Sequence, residues 1–380
     1  MVSLIEIILL SILAICFITQ MVFYWAVLIK PYYYMKSIEE GNTRFFSGLP
    51  PVSVIIYIKN RFYDLQDFLP ALLEQDYPQF EVIIVNDGTT EENKNALKRL
   101  QEQYPNLYST HIPEETRNVS RKKLGITLGI KAAKYDCLLF TEADSHTRSN
   151  NWIKLMTRHF EKDKTVVLGM SARESEPGFF PKFMTFDYFY SNLQILSMAL
   201  LNHPYAGSGR NLICSKKHFN EHKGFIRHLF INDIAAESNT EVELSPESVI
   251  MTGLNVYDWE QEKKDKAFTN HFYKARPVAL WSLESFSRFF FILSVFACLV
   301  WGFLHLQALP YMAGAAMGCY LTRLFSQSFI VNRTASRLEL ENFYLTIPLF
   351  DLMQAMVNIY FFIYRVIHKK ENYIFKYEKR

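Results

Sequence analysis

The chain has 380 residues, a net charge of only +3, and 49% hydrophobic and 16% aromatic content. That length allows one large domain or two modest ones, and the near balance of charge excludes a general nucleic-acid binder. The five cysteines, Cys16, Cys137, Cys214, Cys298 and Cys319, form no CxxC pair and no zinc spacing. They read as small buried apolar residues of a reducing compartment.

Residues 4–29 are almost wholly apolar, with Glu6 near one end. The run exceeds the roughly 20 residues that cross a bilayer. It has no basic n-region and no small-residue cleavage site, so it reads as an uncleaved anchor over residues 1–30. Between about residues 50 and 285 the composition is that of a soluble domain. There, residues 52–58 form a β-branched run that reads as a strand buried on both faces. Asp67 can cap a helix with Pro70 in its first turn, and Leu69, Leu72 and Leu73 share one face. A second buried strand over 80–85 ends at Asn86-Asp87-Gly88-Thr89. A polar helix over 91–103, a strand over 107–112, a helix over 122–134 and a strand over 137–140 follow. Asn150 can cap a helix carrying Ile153, Met156 and Phe160, and residues 166–170 read as a further strand. Residues 179–201 suit either an interfacial helix or one packed over the sheet.

Strands alternating with helices imply an α/β domain with a doubly wound, mostly parallel sheet. Three polar clusters then fall at strand carboxyl ends: Lys59-Asn60, Asn86-Asp87, and Glu142 with Asp144. Ligands of open α/β sheets bind at that edge, so all three should converge on one crevice. Two carboxylates one residue apart suit a hard divalent cation carrying a phosphate ester. No GxGxxG follows the first strand and no Walker-type loop occurs, which disfavours dinucleotide enzymes and P-loop NTPases.

Three further apolar runs, 289–306, 311–331 and 343–367, make a membrane region of two or three segments over 289–367, before a basic tail, 368–380. Lysine and arginine flank the soluble domain on both sides, so it faces the cytoplasm by the positive-inside rule. The last run carries Pro348, Asp351, Gln354 and Asn358. It reads as either a span or a re-entrant hairpin, and as a span it puts the basic tail outside, against that rule. At most four apolar segments are few for a private polymer channel, which disfavours a processive synthase.

The stretches VSVIIYIKN (52–60), LPALLEQDYPQFEVIIVNDGT (69–89), KKLGITLGIKAAKYDCLLFTEADS (122–145) and GSGRNL (207–212) together resemble a family 2 glycosyltransferase of the GT-A fold, in its membrane-anchored bacterial type. The resemblance covers roughly residues 50–290. It implies a nucleotide diphosphate sugar as donor, a divalent metal (Mg or Mn) as cofactor, and a lipid-linked or cell-envelope glycan acceptor at a membrane surface. It implies nucleotide contact by Asp87, favoured by its place after a buried strand, where a plain turn is the other reading. Glu142 and Asp144 match the family's DxD motif, with Glu142 in place of the first acid and Asp144 as the metal ligand. A helix-capping acid is the plainer reading of that pair. Lys122 and Lys123 match a basic pair near the diphosphate, and Gly207, Gly209 and Arg210 match a loop lining the cleft.

Two departures from the family stand out. The acidic run that supplies the general base is missing between Lys223-Gly224-Phe225 and Leu229-Phe230-Ile231-Asn232-Asp233. Asp233 is the nearest candidate base, with Glu237 and His228 as alternatives; each is equally a surface or salt-bridge residue. The QxxRW- or QxxRH-like motif keeps Gln261 but has Lys264 for arginine and Asp265 for the aromatic ring. Lysine lacks the planar fork of arginine toward phosphate. Two readings follow: a nucleotide-sugar-dependent, inverting transferase of envelope polysaccharide, or a non-catalytic binding or scaffold subunit of the same fold.

Overall fold

A computed structural model describes the chain except residues 1–2, 60–61, 89–90, 113–120, 161–165, 175, 222–238, 254, 270–274, 307–308 and 369–380. Two compact units result: Met1–Tyr34 with Lys263–Ile367, and Met35–Glu262 with His368–Arg380.

The second unit holds the sheet. Its elements in chain order begin with β1 (Val52–Ile58), α3 (Phe62–Leu73), β2 (Phe80–Asn86), α4 (Glu91–Gln103), β3 (Leu107–His111), α5 (Arg121–Ala132) and β4 (Cys137–Glu142). There follow β5 (Ser145–Thr147), α6 (Trp152–Thr157), β6 (Val166–Gly169), β7 (Ser171–Arg173), α7 (Phe179–Leu200), β8 (Leu212–Ser215), α8 (Lys216–Glu221), β9 (Thr240–Glu243) and β10 (Ile250–Thr252). The helices α1 (Leu4–Val22) and α2 (Lys30–Glu39) precede them.

Seven strands form one sheet in the order β3-β2-β1-β4-β8-β6-β9. Strands β1 to β4 run parallel, and β8 is antiparallel to both its neighbours. The sheet is therefore mostly parallel and mixed, as the alternating pattern predicts. The β-branched runs account for it. Val52, Val54, Ile56, Val82, Ile84, Leu139 and Val167 are all fully buried in one core with Leu69, Leu72, Trp152 and Met156. A sheet covered on both faces can bury every residue of its central strands, which removes the period-2 alternation. A second sheet of three short strands, β5-β10-β7, lies beyond β4 in sequence. Its strands are three residues each, too short for periodicity to reveal.

Several local expectations are corrected. Helix α3 starts at Phe62, so Pro70 lies inside it and not in its first turn. Burial of Leu69, Leu72 and Leu73 on either side of the proline outweighs its missing N–H. Asn150 does not cap α6. Asn151 holds the N-cap position with no side-chain cap bond, and its own N–H donates to Ser149 Oγ at 3.1 Å. That helix ends at Thr157, short of Phe160. The stretch from Phe179 forms a 22-residue helix buried on most sides, with Phe183 and Phe186 fully enclosed. It packs within the domain and does not expose a broad apolar face. The cysteines are all free thiols, four of them buried, as expected of small apolar core residues.

After β10 come α9 (Val256–Thr269), α10 (Ala275–Leu304), α11 (Leu309–Arg337) and α12 (Ile347–Ile367). Among the described residues, three helices are long and apolar enough to cross a membrane: Leu4–Glu39, Arg276–Leu304 and Ile347–Ile367. The last is one continuous helix, so the hairpin alternative for that run is not what forms. Its polar residues have partners within the helical unit. Asp351 accepts from Arg323 at 2.7 and 2.9 Å and from Gln327 at 3.0 Å, while Arg288 bonds both Gln354 and Glu284. Glu6, the acid in the first apolar run, closes a capping box with Ser3 and accepts from Trp301 at 3.2 Å.

Candidate functional site

Strands β1, β2 and β4 are adjacent and parallel, so their carboxyl ends share one edge. The register sets Tyr57 beside both Val85 and Glu142, and Ile58 beside Asn86. Asp87 and the Glu142/Asp144 pair thus flank β1 at the point where the strand order reverses, the usual ligand crevice of such sheets. Lys59 ends β1 there; Asn60 lies outside the described residues.

Asp87 is 2% exposed and lies in the bend directly after β2. Its N–H donates to Ile58 O at 2.9 Å, and Gly88 follows with φ +76°, a conformation that favours glycine. The carboxylate accepts from Tyr57 OH at 2.5 Å and from Arg121 Nε at 2.6 Å. Burial pushes the Tyr57 hydroxyl pKa up, and the Asp87 contact adds to it, so Tyr57 stays a proton donor. Neither Tyr57 nor Arg121 was singled out in the sequence. Tyr57 hides within a strand run, and Arg121 stands one position before the lysine pair.

Lys122 reaches Glu142 at 2.8 Å, and Lys123 follows it on α5. Helix α5 lies close on the sheet because Gly125 and Gly129 face Tyr57 and Ile55 with no side chain between. Arg210 is the centre of the arrangement. Its Nη2 lies 2.9 Å from Glu142 Oε2 and 3.1 Å from Asp144 Oδ2, and its Nη1 bonds Glu262. Its Nε is buried without a hydrogen-bond partner among the described residues. The turn before it is pinned from several sides. Asn211 donates to Met170 O and Ser248 O at 2.8 and 2.9 Å and accepts from Trp152 Nε1 at 3.0 Å. Ser208 lies 3.0 Å from Ser171. Gly209 belongs to this turn and Gly207 is buried just before it; neither has positive φ.

Helix α9 contributes Glu262, which the sequence motif did not indicate. Trp259 Nε1 donates to the fully buried Asp187 at 2.9 Å, and its ring meets Phe180 and Phe183 edge-on. Residues three apart share a helix face, so this anchor aims Glu262 at Arg210. Gln261 lies on α9 one residue earlier, on another face. Lys264 places its ammonium 5.4 Å from the Tyr364 ring centroid. Burial raises the Glu262 carboxyl above its ordinary value, against the pull of Arg210.

Glu142 and Asp144 offer only carboxylate oxygens, the donor chemistry of a hard divalent cation. Among the described residues no group of three or more His, Cys, Asp or Glu comes together to hold a metal, and a guanidinium spans the two acids. Asp233, Glu237 and His228 lie outside the described residues.

Comparisons with known proteins agree with this architecture. Residues 53–228 match the model of glycosyl transferase family 2. The "Uncharacterized glycosyltransferase YibD" of Escherichia coli (strain K12) is 30% identical over 115 residues, which is 30% of this chain. The match spans about a third, 32%, of that relative's length. The mannosyltransferase PcManGT from Pyrobaculum calidifontis, solved in complex with GDP-Man and Mn2+, is similar at TM-score 0.51 and 15% identity. That similarity covers 86% of this chain and 99% of that one, and it bears on the fold alone. Residues 53–228 are therefore similar in sequence to glycosyl transferase family 2, and the chain is similar in fold to that mannosyltransferase.

Proposed function

We propose that the chain is a membrane-bound glycosyltransferase that moves a sugar from a nucleotide diphosphate donor to a lipid-linked or cell-envelope glycan acceptor. The single observation that carries this reading is the gathering of Asp87, Glu142 and Asp144 at one sheet edge. In this reading Asp87 receives the nucleoside, and Lys123 and Glu142 flank the donor. Asp144 with Glu142 holds a divalent cation, which when bound neutralises charge on the leaving diphosphate. Gly209 and Arg210 line the acceptor or phosphate side, with Gln261 and Lys264 beyond on α9. The acceptor hydroxyl displaces the nucleoside diphosphate with inversion, and Asp233 takes its proton. Three apolar helices support attachment to the cell membrane, and the lysines and arginines that flank the domain support the cytoplasmic side.

A second reading rests on the missing acidic run before Asp233 and on Lys264 in the position of the family arginine. In it the chain keeps the donor fold and serves as a non-catalytic subunit of an envelope-glycan assembly. Titration calorimetry with uridine and guanosine diphosphates and Mn2+, followed by a hydrolysis assay on a panel of nucleotide sugars, separates the two. The transferase reading expects binding of one diphosphate and slow hydrolysis of the matching sugar. Binding without any turnover moves the conclusion to the subunit. No binding to either diphosphate ends both.

A further inference from the structure

The site holds a cation of its own. Arg210 is 8% exposed overall, and its guanidinium contacts three carboxylates: Glu142, Asp144 and Glu262. A divalent ion placed on Glu142 and Asp144 would compete for the oxygens that Arg210 already uses. It would also meet a like charge within a few ångströms, where buried charges interact strongly. The guanidinium is not loosely placed: Asn211 and Ser208 fix its turn, and Trp259 fixes the helix that presents Glu262. Its buried Nε–H has no hydrogen-bond partner among the described residues.

We propose that Arg210 is a resident counter-ion for Glu142 and Asp144 in the donor-free protein, and that a divalent cation enters only together with a nucleoside diphosphate. This rests on the donor reading given above. The phosphate oxygens supply what the acids withdraw. With a diphosphate bound, the guanidinium, whose planar fork suits phosphate, would turn from the carboxylates to it, and Glu142 and Asp144 would then hold the cation. Arg210 is then a positioning residue that couples metal to donor. Coupling of this kind is reciprocal: the nucleotide raises metal affinity by the factor with which metal raises nucleotide affinity.

Electron paramagnetic resonance of free Mn2+ tests this on the full chain in detergent, without and with uridine or guanosine diphosphate. Wild type is expected to bind Mn2+ about tenfold or more weakly without the nucleotide than with it, in the usual range of coupling. Arg210→Gln is expected to bind Mn2+ without nucleotide about tenfold or more tightly than wild type, since the guanidinium that contacts Glu142, Asp144 and Glu262 is then gone. Mn2+ should also raise the melting temperature of the variant and leave that of nucleotide-free wild type unchanged. Equal Mn2+ affinity of wild type with and without nucleotide overturns the proposal, even if the variant does not fold. So does equal affinity of wild type and variant without nucleotide. The donor reading fails by a different result, the absence of nucleoside diphosphate binding to wild type in saturating Mn2+.

Discussion

Glu243 shows what a single buried acid can hold. It is fully buried at the end of β9 and takes hydrogen bonds from Arg158 Nε at 2.7 Å, from Ser245 N at 2.7 Å and from Ser248 Oγ at 3.3 Å. His159 Nε2 lies 2.8 Å away, and the Phe45 ring covers the Arg158 guanidinium at 3.9 Å. Burial alone would raise its pKa. The His159 hydrogen bond and the Arg158 charge outweigh burial and hold it at about 2, below the ordinary 4.5. A carboxyl whose folded value is lowered contributes stability that is complete above about 4.5 and lost as pH falls through about 2. The shift corresponds to on the order of 3 kcal/mol. Urea denaturation of wild type at descending pH should show that loss across the window, and Glu243→Gln should lack this part of the pH dependence. A parallel fall in both proteins would refute the assignment. No motif marks Glu243 in the sequence, because His159 and Arg158 lie 84 and 85 residues away.

At the scale of elements, one glycine joins the sheet to the Arg210 turn. A Cβ built on Gly169, the last residue of β6, would lie 2.3 Å from Asn211 Nδ2 and 2.8 Å from Oδ1. The amide cannot swing aside without giving up Met170 O, Ser248 O and Trp152. Overpacking of this kind costs roughly 1–3 kcal/mol. Gly169→Ala should therefore lower the denaturation midpoint, and it should weaken nucleoside diphosphate binding by loosening Arg210. Retention of wild-type affinity in the folded variant would show that the turn is held without Asn211. The strands that build this edge were visible in the sequence as apolar β-branched runs ending in polar clusters. The Asn211 and Glu262 contributions were not. Each depends on which residues a later element brings back to the sheet, and spacing along the chain carries no trace of that.

At the scale of the whole molecule, the helical unit contains a buried charge network that its hydropathy does not announce. Arg288, Arg323, Glu284 and Asp351 are each at most 3% exposed, with Gln20, Gln327 and Gln354 among them. They tie α1, α10, α11 and α12 together. Asp351 pairs with Arg323 and lies 3.6 Å from Arg288. Removing one partner of a buried pair leaves an uncompensated charge and costs about 3–5 kcal/mol. Asp351→Ala should accordingly reduce the folded yield and melting temperature in detergent, while Asp351→Asn, which keeps acceptor capacity, should cost less. Equal stability of Asp351→Ala and wild type would show that the arginines find other partners.

The sequence by itself determined the α/β class, the apolar segments at both ends and the convergence of strand-end acids. Those follow from periodicity and composition, which are local and survive in a linear string. It left open whether the final apolar run is a span or a hairpin, and whether the stretch from Phe179 lies on a membrane or in the core. Only the tertiary structure showed the first to be one continuous helix and the second to be buried at Phe183 and Phe186. It also decided that Arg210, and not a lysine of α5, stands between Glu142 and Asp144. The carboxylates that meet Arg210 lie from 52 to 68 positions from it along the chain. Electrostatic partnership at that separation is created by the fold, and no local pattern encodes it.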